Sequence, residues 1–256
     1  MLKYQTIMRN FGRWFLFSKT VVGLFFKEGL SRKQLINHMY QVGVRSIPIT
    51  CVAGLFVGAI LAIQINLQLK DFGAQSFLGG LSTSTTLRNL GPVLIAFLLA
   101  GRVGAFSSAE LGTMAITDQL NAIRCLGLNP LSMIIMPRLV ALTISSFLLL
   151  VMGLGLTVVG GMMISSVYLK INPLLFVSHI PQFVSGSSVL IGVLKSFLFG
   201  LTIGTISCFV GYHTTGGSEE VGQSVRRTAV VTLVSIIVID FLVSFSVESI
   251  SRLIAS

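Results

Sequence analysis

Five times along this chain, more than twenty residues pass with almost no charge: about 47–69, 77–101, 131–167, 186–212 and 228–250. Each run is long enough to cross a hydrocarbon core of about 30 Å as a helix. Backbone polar groups in lipid must be satisfied within the segment, so the five runs leave little choice but an all-α membrane bundle. Charged residues make up only 10% of the chain, against about 25% in soluble domains. The expected fold is therefore an all-α integral membrane protein. It has an N-terminal interfacial amphipathic helix, five transmembrane helices, and a cytoplasmic helix between spans two and three. Residues 1–46 form the interfacial region and 47–256 the five-span domain.

The net charge of +10 does not point to nucleic acid. In a multi-span protein, Lys and Arg collect in cytoplasmic loops. Residues 1–47 hold Lys3, Arg9, Arg13, Lys19, Lys27, Arg32, Lys33 and Arg45, interleaved with Trp14, Phe15, Phe17, Val21, Val22, Phe25 and Phe26. Lys19 interrupts the apolar core that a signal peptide needs, and no small-x-small cleavage site follows. An amphipathic helix lying in the interface fits better. With the N-terminus inside and the C-terminus outside, thirteen basic residues fall on the inner side and three on the outer, Lys70, Lys170 and Arg252. That asymmetry supports the orientation.

Small residues recur every fourth position at Gly54, Gly58 and Ala62, at Gly153, Thr157 and Gly161, and at Gly192, Ser196, Gly200, Gly204 and Cys208. Such ridges allow close helix contact and read as packing seams. Cys51, Cys125 and Cys208 have no metal-type spacing and read as small packing residues. His38, His179 and His213 stand apart from acidic or cysteine neighbours. No P-loop, H-E-x-x-H or G-x-S-x-G motif occurs, so neither a nucleotide site of that kind, nor a metal site, nor a hydrolase is indicated.

Three charges sit deep within the runs: Arg88, Lys195 and Asp240. At about 1.5 Å per residue they lie roughly 20–27 Å from the inner end of their spans, so they can share a layer. A charge at such depth costs about 2.5–3.5 kcal/mol on insertion scales and seeks a partner or a cavity. One reading is an ion-pair clasp between spans. The other notes that two cations and one anion leave a positive charge that a phosphate would complete. Pro92 sharpens the second reading. It removes a helix hydrogen bond and frees the carbonyl of residue 88, which is Arg88 itself. In this picture Asp240 pairs with one cation while Arg88 faces a lipid headgroup. Beyond it the chain is expected to leave the membrane at a Gly101-Arg102-Val103-Gly104 turn. A helix with Glu110, Asp118 and Arg124 follows, ending at Gly127-Leu128-Asn129-Pro130.

Leu87-Arg88-Asn89-Leu90-Gly91-Pro92, Ala100-Gly101-Arg102-Val103-Gly104, Ala109-Glu110-Leu111-Gly112-Thr113-Met114, Gln119-Leu120-Asn121-Ala122 and the run from Asn129-Pro130 to Pro137-Arg138 closely resemble the MlaE family. These are permease subunits of bacterial ABC systems that move phospholipids between inner and outer membranes, with relatives in plastids. The resemblance implies a homodimer in the inner membrane with phospholipid bound at the dimer interface. It implies a separate ABC ATPase subunit (MlaF-like), which holds the ATP and Mg, docked on a coupling helix at about 109–126. This chain itself then carries no cofactor. The resemblance further implies an MCE-domain periplasmic protein (MlaD-like) and, in some members, a STAS-domain protein (MlaB-like).

Carried onto this sequence, substrate contacts fall on Arg88, Asn89, Lys195 and Asp240, with acyl-chain contacts at Leu61, Ile65, Leu69, Leu78, Leu87, Leu90 and Val243. ATPase coupling falls on Glu110, Met114, Asp118, Leu120 and Arg124. Many members have glutamate where this chain has Asn89, so no role of that acid transfers. Two other classes compete: a membrane-embedded lipid-modifying enzyme using Asp240 or Glu110 as an acid, and a passive ion channel through the Arg88 layer.

Overall fold

The structure is a computed structural model that describes residues 12–21, 23–24 and 32–255. The remainder of the expected interfacial region, 1–11, 22 and 25–31, lies outside the described residues. Among those described there is no β-strand. Five helices are long and apolar enough to cross a membrane: Arg32–Lys70, Gln75–Ile116, Leu131–Val167, Gly186–Tyr212 and Ser218–Ser249. They are called spans one to five below. The described residues cluster into two compact units. The first takes in the described residues of Met1–Arg45, Ala100–Ser145 and Leu201–Val234, and the second those of Ser46–Leu99, Ser146–Gly200 and Ser235–Ser256.

In the second unit, two of the predicted ridges meet each other. A Cβ added at Gly54 would lie 2.9 Å from Gly153 O, and one at Gly58 would collide with the backbone of Thr157. Gly160 is closed in the same way by Leu55, and Gly161 lies 3.7 Å from Ala62 Cβ by the same measure. Spans one and three therefore pack backbone to backbone, as small residues permit. A Cβ at Gly192 of the third ridge would lie 2.7 Å from Leu87 O, bringing span four against span two.

The segment 170–185, between spans three and four, is not a plain loop. Helices Pro173–Ser178 and Ile180–Phe183 form there, each with proline in its first turn, where the missing N–H costs nothing. Asn172 caps the first by accepting from Leu174 N at 2.9 Å. Gly79 and Gly80 admit this cap, since a Cβ on either would strike Phe176 or Phe183. Phe176 is fully buried as a result.

In the first unit, Phe17 and Val21 of the helical stretch 12–21 are buried, while Phe15 and Leu16 are exposed. Phe17 packs against the rings of Phe209, Tyr212 and His213 at centroid distances of 5.6–5.8 Å. The predicted turn at 101–104 is instead a π-helical turn, Ala100–Gly104, inside a helix that continues to Ile116. A widened turn keeps backbone groups bonded while accommodating two glycines of low helix propensity. The following helix does break, but later. Asp118 takes a left-handed conformation (φ 57°) between Ala105–Ile116 and Gln119–Cys125. Span five begins ten residues before the expected position. Glu219 and Glu220 occupy its first turn, where carboxylates favour the helix dipole, and Glu220 Oε2 accepts from Gly217 N at 3.0 Å.

Candidate functional site

Span two is not a uniform helix. Leu78–Thr85 opens into a π-helical turn, Thr86–Leu90, before Gly91–Leu99 resumes. Gly91 N donates to Thr86 O, five residues back. Pro92 brings no donor, so the Arg88 carbonyl is left for another group, as the sequence requires. That group is the Lys195 ammonium, whose Nζ donates to Arg88 O at 2.8 Å. The same Nζ donates to Ser244 Oγ at 2.9 Å and lies 2.7 Å from Asp240 Oδ1. Lys195 is 0% exposed. A buried ammonium is tolerated only when paired and hydrogen-bonded, and here one lysine ties spans two, four and five through three oxygens.

Asp240 thus pairs with Lys195. Arg88 is exposed, and among the described residues no carboxylate lies within ion-pairing distance of its guanidinium. It opens into a cleft of about 410 Å³ lined also by Ser84, Thr85, Asn89, Lys195, Ser244 and Glu248. Glu248 corrects the charge count made from sequence. With it, the four charges of this layer sum to zero, so the case for an anion rests on the open guanidinium and not on a net charge. The hydroxyls of Ser84 and Thr85 and the Asn89 amide supply neutral hydrogen-bonding groups around it. Ser244 and Glu248 were missed from sequence. Their i+4 and i+8 spacing from Asp240 on span five was the available signal.

The other residues assigned from sequence differ in burial. Leu61 and Leu78 are buried within the second unit at 4% and 0% exposure. Ile65, Leu69, Leu87 and Val243 are half-buried and Leu90 is exposed. In the first unit, Glu110 Oε1 pairs with Arg138 Nη2 at 2.9 Å, and Arg138 is 3% exposed. Leu120 is buried, Met114 half-buried, and Asp118 exposed with its carboxylate accepting from Asn121 at 2.7 Å. Arg124 donates to Tyr212 OH at 2.6 Å and sits 5.9 Å from that ring's centre. Arg102 Nη2 donates to Arg45 O at 2.8 Å. Leu126 and Leu128 remain exposed beside this helix.

Five apolar helices, with a buried ion pair on two of them and an open arginine on a third, define a multi-pass membrane protein. A family model described as Permease MlaE matches residues 35–246. A probable ABC transporter permease protein of Synechocystis is 34% identical over 216 residues, covering 84% of this chain and 82% of that protein. The intermembrane phospholipid transport system permease protein MlaE of Haemophilus influenzae is 33% identical over 211 residues, covering 82% and 81%. A probable ABC transporter permease of Rickettsia conorii is 29% identical over 236 residues, covering 92% and 91%. The chain belongs to the MlaE permease family of ABC transporters. It is a permease and not an enzyme.

Proposed function

We propose that this chain moves phospholipid between the inner and outer membranes of a bacterial envelope, as a homodimer in the inner membrane with its N-terminus in the cytoplasm. The observation that carries the reading is the Arg88 guanidinium, open to a cleft while the neighbouring Lys195 is consumed by Asp240, Ser244 and the Arg88 carbonyl. A planar guanidinium with no carboxylate partner suits a phosphodiester in bidentate geometry. The name of the Haemophilus relative supports the substrate class. Only 11% of the apolar window of span five is buried within the chain, and Val234, Ile237, Val238, Phe241 and Phe245 are exposed along it. That stripe supports a second copy packing there, with acyl chains held between subunits.

In this reading a separate ABC ATPase, holding ATP and Mg, docks on the region at about 109–126. An MCE-domain protein exchanges lipid on the outer side, and a STAS-domain protein is a further candidate partner. The test uses the reconstituted transporter with a photo-crosslinker placed at Asn89. Wild type should capture phospholipid, and Arg88→Ala should lose both capture and nucleotide-driven lipid movement. Unchanged capture and unchanged movement reduce the three charges to a structural clasp.

A further inference from the structure

The first unit holds a second cleft, of about 330 Å³, that shares no residue with the one at Arg88. Arg13, His213, Gln223 and Arg227 line it, together with Thr215 and Glu220. Neither guanidinium has a carboxylate within ion-pairing distance among the described residues. The one acid present, Glu220, already accepts from Gly217 N at 3.0 Å. His213 Nδ1 donates to Phe209 O at 2.9 Å, so Nε2 of the neutral ring is an acceptor and the donors open to an anion are the two guanidinium groups and the Gln223 amide. Two unpaired arginines from different helices, with amide and hydroxyl groups between them, form a receptor for a phosphate group.

The surroundings favour a lipid as the source of that phosphate. On the helix bearing Arg13, Phe15 and Leu16 are exposed while Phe17 is locked into the aromatic cluster of Phe209, Tyr212 and His213. Apolar side chains exposed beside cationic ones characterise a helix lying in the interface, and basic pockets at that level hold anionic headgroups. We propose that the Arg13–Arg227 cleft is a phosphate-headgroup site distinct from the transported lipid's site. It clamps stretch 12–21 to the turn between spans four and five. The source is an anionic lipid headgroup, with free phosphate as the alternative that shares its chemistry.

The test uses the full chain in nanodiscs of phosphatidylcholine, with or without phosphatidylglycerol. Native mass spectrometry counts retained phosphatidylglycerol, and thermal unfolding reads its stabilisation. Wild type should retain it and unfold at a higher temperature when it is present. Arg13→Gln and Arg227→Gln should each weaken retention about tenfold with unfolding in phosphatidylcholine unchanged. Arg88→Gln should leave this signal intact, which separates it from the proposed transport site. Inorganic phosphate added to phosphatidylcholine nanodiscs should shift nothing; a shift that vanishes in both arginine variants would assign the cleft to soluble phosphate instead of lipid. If the arginine variants fold poorly, Glu220→Gln still decides, because removing the one carboxylate should tighten retention. Equal retention in wild type and all three cleft variants overturns the proposal.

Discussion

Replacing Lys195 by Met keeps most of the side-chain volume and removes the ammonium. The variant leaves three oxygens behind: Asp240 Oδ1, Arg88 O and Ser244 Oγ, which lie at 2.7–2.9 Å from Nζ in the native chain. Ser244 can rotate to another acceptor, so its loss is small. Arg88 O cannot recover a helical donor because residue 92 is proline, and a buried acceptor left unpaired costs about 1–3 kcal/mol. Breaking a buried ion pair by removing one partner costs about 3–5 kcal/mol. The Asp240 side chain is 25% exposed, which places the pair toward the lower end. Membrane hydrogen bonds also average nearer 0.6 kcal/mol in double-mutant cycles.

The expected loss is therefore about 2–4 kcal/mol, read by reversible unfolding of the purified permease in mixed micelles. Two partners make the reasoning specific. Asp240→Asn should recover part of the loss in the double variant, with a coupling of about 1 kcal/mol or more. Pro92→Ala returns an N–H near the Arg88 carbonyl, so it should reduce the penalty of Lys195→Met while doing little alone. A Lys195→Met variant within about 0.5 kcal/mol of wild type, additive with both partners, would refute the claim that this lysine fastens the kink.

Glu110→Gln should destabilise the first unit by about 2–3 kcal/mol because Arg138, 3% exposed, loses its carboxylate; Glu110→Gln/Arg138→Met should recover part of it in the same unfolding assay. Gly58→Ala should lower yield and unfolding stability by about 1–3 kcal/mol through overpacking, whereas Gly155→Ala, with nothing within 4 Å, should match wild type. Arg124→Ala should release Tyr212 and the ring cluster around Phe17, seen as faster proteolysis of stretch 12–21 with the spans unaffected. Arg88→Gln should leave unfolding within about 0.5 kcal/mol of wild type, as exposed residues do, while transport falls.

Periodicity and length made the spans legible, because lipid leaves a helix no alternative to satisfying its own backbone. The small-residue ridges at Gly54–Gly58 and Gly153–Gly161 were visible separately, and only packing paired them. The Pro92 rule identified the Arg88 carbonyl as an orphan without naming its donor. Lys195 lies far along the chain, and no local pattern links a carbonyl on one span to an ammonium on another. Glu110 and Arg138 are hidden from one another for the same reason. The cap at Pro173–Phe183 is hard to read from sequence because proline both starts helices and ends them, and its partner signal, Gly79-Gly80, sits on a different span. Asp118 in a left-handed conformation shows how one residue divides a run of good helical spacing.

In the proposed function the Arg88 guanidinium engages the phosphate of a bound lipid while Asp240 holds Lys195. A cryo-microscopy map of the permease purified with native lipid tests it directly. Phosphate density should stand beside Arg88, with nitrogen–oxygen distances of about 2.7–2.9 Å, and acyl-chain density should lead away along span five. A map in which Arg88 closes on Glu248, with lipid phosphate confined to the membrane surfaces, contradicts it.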